Sequence, residues 1–420
     1  MKNLSSTFFG AILPAIPDRL LDKIGLTLVF LFPLCGNLIK SWYSTLFFFI
    51  AITSLFYIRQ GWPLLDKFQK SMAYALLLYF AIFLLQATLL GWHADELKAL
   101  GVEIRLVFII PLLCMASTLH STRTALFLGL IGSLVILLGQ TFYELLIMQQ
   151  WRVTGTYNPL RVSAMALVSM ALLVPWLYFK KWHASAVLVA LCCALIIVGS
   201  QGRMAMIAAL AIALLFCLTL IKRVRNIIIA LTGVLVVVIA LVLTPTIQQR
   251  FSEVDSLMQY IAKEKQYAAN EVPGSWVTHY MMLEASWLLL KEHPMLGVGT
   301  RHYPEHIQTH IEAERVHPIV GHDGLVTPHT LIAEIAVSKG LLGVLAFLLF
   351  IIMVFRLAFH RGREGIALGM FMVCILLTGI SEAWWVRTGS FVAIMTVLIA
   401  ILSTSNKNQL SDQSEQVSGA

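Results

Sequence analysis

The sequence predicts an all-α integral membrane protein of about twelve transmembrane helices, with one long polar loop between the ninth and the tenth. Three observations predict it. Hydrophobic residues make up 59% of the 420 and charged residues only 12%, with a mean hydropathy of +0.82. A soluble domain has no interior large enough to hide that much apolar side chain, so the bilayer must act as its solvent. The apolar residues also fall in runs divided by short polar breaks, and Lys and Arg are shared unequally between alternate breaks.

The runs lie near 24–39, 42–58, 71–90, 104–119, 124–148, 160–179, 184–199, 203–221, 226–245, 340–359, 364–385 and 388–404. Several are shorter than the about 20 residues that a straight crossing needs, so they must tilt little or thin the membrane locally. Ahead of them Pro14, Pro17, Asp18 and Arg19 interrupt the chain with no small-residue cleavage site, so no cleavable signal peptide is expected. The expected organisation is residues 1–245 for helices one to nine, 246–339 for a loop with short helices that carries part of a site, 340–404 for the last three helices, and 405–420 for a disordered Ser/Gln/Asn-rich tail. All six cysteines fall in apolar runs without zinc spacing and read as small packing residues.

Orientation follows from the basic residues. With the N-terminus in the cytoplasm, the inner breaks and tails hold 16 Lys and Arg and the short outer loops hold 7. The clusters Lys222–Arg225 ("KRVR") and His360–Arg363 ("HRGR") both fall inside, and the long segment from Thr246 to about Thr327 then faces outward. The net charge of +8 is accounted for by this bias and needs no nucleic acid to explain it.

The outward arginines resist the bias, and each needs a reason. In "GSQGRMAMIAAL" (Gly199–Leu210), Ser200 can cap span eight and place Arg203 in its first turn. A cation there opposes the helix dipole; an anion bound to it and to the free N–H groups reverses the sign, and phosphate fits both. Snorkelling to lipid phosphate is the other role open to Arg203. Arg152 and Arg161 flank "VTGTYNPL" in another outer loop.

Eight of the twelve histidines lie in the long loop or at its exit. His306 and His310 stand one helical turn apart behind Pro304, but no HExxH occurs and no carboxylate or cysteine completes an evident ligand set, so a solvated amphipathic helix is expected and no metal site. "KEHPMLGVGTRHY" (Lys291–Tyr303) reads as a helix end and a tight turn, with Gly297 and Gly299 permitting unusual angles and Arg301 beside them within reach of an anion. In "TPHTLIAEIAVSKGLLG" (Thr327–Gly343), Thr327 can serve as N-cap, Pro328 as first helical residue and His329 as second, with "KGLLG" breaking the helix and starting span ten. A helix N-terminus disfavours imidazolium, and a neutral imidazole is what a general base needs. A histidine merely hydrogen-bonded at a helix start fits the same residues.

Many spans, a large outer loop before the last three, "HPMLGVG" in that loop and then "PHTLIAEIAVSKGLLG" together resemble the O-antigen ligase superfamily, over nearly the whole chain. The superfamily also holds O-antigen polymerases and bacterial protein O-oligosaccharyltransferases; the length, without a large extra C-terminal domain, is most similar to the ligases. The resemblance implies a GT-C-like membrane glycosyltransferase in the bacterial inner membrane, with its active site facing the periplasm. It implies inverting, metal-independent transfer of a polysaccharide from undecaprenyl pyrophosphate to a sugar hydroxyl of lipid A core, with no cofactor. The family's essential histidine matches His329, and its arginine at an outer helix start matches Arg203. A further family arginine falls at His279 here, a departure: either His279 is protonated by the bound phosphates, or Arg301 or another outer arginine substitutes, with Arg152 and Arg161 as candidates for the saccharide or the pyrophosphate. The rival class is a secondary transporter. It would place ionisable residues near mid-membrane, whereas Glu144, Glu364 and Glu382 sit near span ends.

Overall fold

The computed structural model describes residues 18–404 except 37, 40–41, 93, 120, 151, 156–158, 221–253, 264–265, 269–270, 272–273, 300–301 and 322–327. The helices of ten residues or more are α1 (Asp18–Gly36), α2 (Trp42–Leu55), α3 (Lys67–Leu90), α4 (Ala94–Val107), α5 (Ile109–Thr118), α6 (Thr122–Phe142), α7 (Pro159–Phe179), α8 (His183–Ser200), α9 (Arg203–Leu220), α10 (Ser275–Glu292), α11 (Tyr303–Glu312), α12 (Leu331–His360), α13 (Ile366–Thr378) and α14 (Gly389–Leu402). No strand occurs among the described residues. Apart from α4, most of which precedes the run at 104–119, and from α10 and α11, which belong to the long loop, these helices lie largely on the apolar runs. The run at 226–245 and the tail 405–420 lie outside the described residues.

The expected count of twelve crossings is not reproduced by length. Among the described residues six helical stretches are long and apolar enough to cross a bilayer: Lys67–Leu90, Glu96–Thr118, Thr122–Ile147, Pro159–Phe179, His183–Ser200 and Leu331–His360. A seventh is reached if Trp42–Leu55 and Ile58–Leu64, bent by 61°, form one broken span. The shortfall has a physical reason in α14. It has 14 residues, and every one from Phe391 to Leu402 is buried. A helix enclosed by protein does not have to match the thickness of the lipid around it. Among the described residues the protein is all-helical, with the long apolar helices of a multi-pass membrane protein. On α8, Val187, Leu188, Leu191, Leu195 and Val198 form an exposed apolar stripe at helical spacing.

Helix alternation sorts the ends of the bundle. At one end Arg361 Nη2 contacts Asp66 Oδ2 at 2.6 Å, and Arg123 donates to the carbonyl of Leu402 at 2.5 Å and to Glu364 at 3.3 Å. These bonds tie the starts of α3 and α6 to the ends of α12 and α14. The opposite end gathers the start of α7, the α8–α9 turn, the start of α12 and the end of α13. Helix α13 joins them, since it packs on α7, α9 and α12.

Span ten departs from its expected start. Helix α12 begins at Leu331, and "KGLLG" breaks it without ending it: Gly340 has φ 63° and ψ −165°. The break frees backbone groups, and the "HPMLGVG" turn takes them. Leu341 N donates to Pro294 O at 2.8 Å, and Val337 O accepts from Val298 N at 2.8 Å. Gly297 (φ +66°) lies so close that an added Cβ would stand 2.2 Å from Val337 O. The turn is therefore a backbone splice onto the broken helix.

Candidate functional site

His329 lies one residue outside the helix it was expected to open. Thr330, not Thr327, is the N-cap: its φ and ψ are −119° and 141°, and its side chain accepts from Ala333 N at 3.3 Å. Thr327 lies outside the described residues. His329 itself takes a left-handed backbone, φ 54°, which no helical residue can have. The tertiary contact decides this: Leu331 N donates to Gly379 O at 2.7 Å, so the first helical N–H is used by the end of α13. A left-handed conformation costs a residue with a Cβ roughly 1–2 kcal/mol and persists where its surroundings over-determine it.

Two groups converge on this histidine. The His279 ring, from α10, meets it edge-to-face with centroids 5.8 Å apart and planes at 90°. Glu382, in the chain after α13, places Oε2 4.0 Å from His329 Nδ1. That is too long for a hydrogen bond but close enough for charges to interact. Burial, and then the neighbouring His329, push His279 below the ordinary imidazole range. Burial pushes Glu382 up to about 7. His279 is thus a neutral wall beside His329 at neutral pH rather than a standing cation, so it does not reproduce the charge of an arginine.

Arg152 is held at the end of α8. Glu144, at the end of the span containing α6, accepts from Thr154 N at 2.5 Å and Gly155 N at 2.8 Å, which fixes the loop that carries Arg152. Arg152 Nε donates to Ser200 O at 2.7 Å, and Val153 N to Gly199 O at 3.0 Å. Ser200 is therefore the last residue of α8, not a cap of the next helix. Its hydroxyl turns back to Ile197 O, and Gln201 at φ 55° makes the turn. Arg203 opens α9 as expected, though its side chain lies outside the described residues. Arg301 lies outside them altogether. Arg161, in the first turn of α7, sits 5.8 Å from the Phe391 ring. Phe391 packs on Trp385 at 5.1 Å, and Trp385 Nε1 donates to Thr378 Oγ1 at 2.8 Å, one residue from the carbonyl that holds Leu331. The structure thus unites His329, His279 and Glu382 directly, and ties Arg152 and Arg161 to the same end of the bundle.

The other described loop histidines have partners of their own. Helix α11 is amphipathic but not wholly solvated: Tyr303, Ile307 and His310 are buried. His310 Nε2 is 3.0 Å from Glu292, and His306 meets the His293 ring at 5.3 Å. Among the described residues no group of three or more His, Cys, Asp or Glu is placed to hold a metal ion. Glu382 is the residue that sequence reasoning passed over as a site member. Its signal in the sequence is a lone carboxylate in the last outer loop ("SEAWW").

A histidine pair, a carboxylate and arginines thus stand at one end of a bundle of long apolar helices. The sequence profile of the O-antigen ligase family matches residues 187–348, a stretch that runs from α8 into α12 and contains Arg203, His279, Arg301 and His329. Over that stretch the chain is similar to the O-antigen ligase family. A search of curated proteins returned no match.

Proposed function

We propose that the protein is a ligase of the bacterial inner membrane. It transfers a polysaccharide from undecaprenyl pyrophosphate to a sugar hydroxyl of lipid A core at the periplasmic face. The observation that carries this reading is the grouping of His329, His279 and Glu382 at the head of α12, of which the two histidines lie within the stretch matched by the family. His329 takes the proton of the acceptor hydroxyl as its oxygen attacks the anomeric carbon, and the bond from that carbon to the pyrophosphate oxygen breaks. One displacement from the opposite face inverts the centre. Glu382, once ionised, offsets the imidazolium that forms. Charge developing on the departing pyrophosphate is met by Arg203 and the N-terminus of α9, with Arg152, Arg161 and Arg301 as further cations. Such preorganised donors act most strongly where water is excluded. Neutral His279 shapes the wall of the acceptor site.

The reading is tested with purified protein, a defined lipid-linked donor, lipid A core and excess EDTA. Transfer should proceed undiminished under chelation. Loss of transfer restored by magnesium, manganese or zinc would overturn the metal-independent mechanism. Transfer only onto a second lipid-linked unit would make the protein a polymerase, and transfer only onto a protein hydroxyl an O-oligosaccharyltransferase.

A further inference from the structure

Ten residues along the chain from His329, α12 buries a charge. Lys339 and Glu103 are each 2% exposed, with Lys339 Nζ 2.7 Å from Glu103 Oε1. Glu103 comes from α4. Lys339 also lies 5.1 Å from the Tyr79 ring and 5.9 Å from the Phe83 ring, both on α3. One turn further along α3, Gln86 donates to the carbonyls of Ser338 and Leu296. Gly343 makes room for the lysine stem, since a Cβ there would stand 2.2 Å from that of Lys339. The residues just before the Gly340 break are thus gripped by α3, α4 and the spliced turn together.

A charge pair at this depth needs a reason. Apolar residues of the same volume often stabilise as well or better, and ionisable groups within membrane spans usually mark function. What the ion pair adds is a fixed direction. The stretch Leu331–Lys339 is a short rod joined to the rest of α12 through a glycine with non-helical angles. At 1.5 Å per residue the rod is about 14 Å long, so a swing of only about 4° at the joint moves its far end about 1 Å. His329 sits at that far end, and a displacement of that size at a reacting group costs on the order of 100-fold in rate.

We infer that the buried Lys339–Glu103 pair is a positioning device for His329: it fixes the angle of the Gly340 joint and thereby the place of the imidazole. The inference rests on the reading of His329 as the general base. Neither Lys339 nor Glu103 touches substrate in this account.

The test uses the full-length protein in lipid nanodiscs and the apolar double variant Lys339→Met/Glu103→Leu, with three readouts. These are kcat and KM for the lipid-linked donor, the thermal midpoint, and the rate at which diethylpyrocarbonate modifies His329, read by peptide mass spectrometry without substrate. The expected result is an unchanged or raised midpoint, a fall in kcat of about 10- to 100-fold with little change in donor KM, and faster modification of His329. Lys339→Arg, which keeps the charge, should retain most of the activity. If the double variant does not accumulate, Glu103→Gln gives the same readouts with a smaller change of shape. Unchanged kcat with unchanged modification overturns the inference, and so does a loss of kcat that only tracks a loss of stability. Faster modification of His329 with undiminished kcat would leave the joint standing and overturn instead the reading of His329 as base.

Discussion

At the scale of single residues, the candidate site is a set of groups whose protonation is arranged by burial. Glu382 is raised from an ordinary 4.5 to about 7. Below pH 7 it is protonated and cannot balance an imidazolium on His329; above it the carboxylate can. Transfer should therefore rise with pH through about 7, and Glu382→Gln should abolish that limb and lower the plateau, as a pH profile of kcat/KM would show. The same shift acts on stability in the opposite sense. A carboxyl whose folded pKa is raised contributes stability that is fully present below its unfolded value and is lost as pH rises through about 7. Activity is thus gained where this contribution to stability is lost. His329→Ala should reduce transfer by about 10²–10⁴-fold while donor still binds, since that is the usual worth of a general base. Near-normal transfer by a folded His329→Ala protein would return His329 to a satisfied residue at a helix start. Arg203→Ala should weaken donor binding as well as turnover, and Arg203→Lys should recover little, because an ammonium lacks the planar fork that grips two phosphate oxygens.

At the scale of elements, the joint between the "HPMLGVG" turn and α12 organises the site. Its glycines answer to different demands. Gly297 and Gly362 both have positive φ, but a Cβ at Gly297 would strike Val337 O, while one at Gly362 meets nothing within 4 Å. Gly297→Ala should therefore lower the thermal midpoint well beyond Gly362→Ala, which bears only the backbone strain; equal effects would mean the splice is not tight. The turn and the break at "KGLLG" were legible in the sequence, because glycine beside an apolar helical pattern is a local signal. The exact head of the helix was not. Thr327 and Thr330 are equally good caps, and the choice between them is made by Gly379, forty-nine residues past Thr330 in the chain. The Lys339–Glu103 pair was illegible for the same reason: 236 residues separate its partners, and Lys339 reads locally as one more charge at a loop end. Apolar runs gave the helices directly, since a bilayer imposes its pattern on every span alone. Length alone does not settle how many of them cross, because an apolar run shorter than the membrane is also what a protein-enclosed helix such as α14 looks like.

At the scale of the whole molecule, the two ends of the bundle have different work. One end is closed by Arg123, Glu364, Arg361 and Asp66, whose ion pairs and carbonyl contacts bind helix ends to one another. The other end holds His329, His279, Glu382, Arg152, which donates to a helix carbonyl, and Arg161, which lies over an aromatic ring. A polymer donor on a lipid anchor needs such an asymmetry, with the reacting end open to the compartment that holds the acceptor. Sequence charge gives the direction. In the sequence sixteen Lys and Arg fall in the expected inner breaks and tails and seven in the short outer loops; Lys67, Arg123 and Arg361 of the sixteen lie at the closed end, which should therefore face the cytoplasm. Three of the six cysteines are buried and three half-buried, so a chain with these replaced gives a clean background for labelling. In it, a single cysteine at Glu264 should react with a membrane-impermeant maleimide applied to intact spheroplasts, and one at Lys222 only after the membrane is opened. The reverse pattern would place His329 and Glu382 on the cytoplasmic side, away from a periplasmic acceptor, and would remove the proposed reaction whatever the chemistry of the residues.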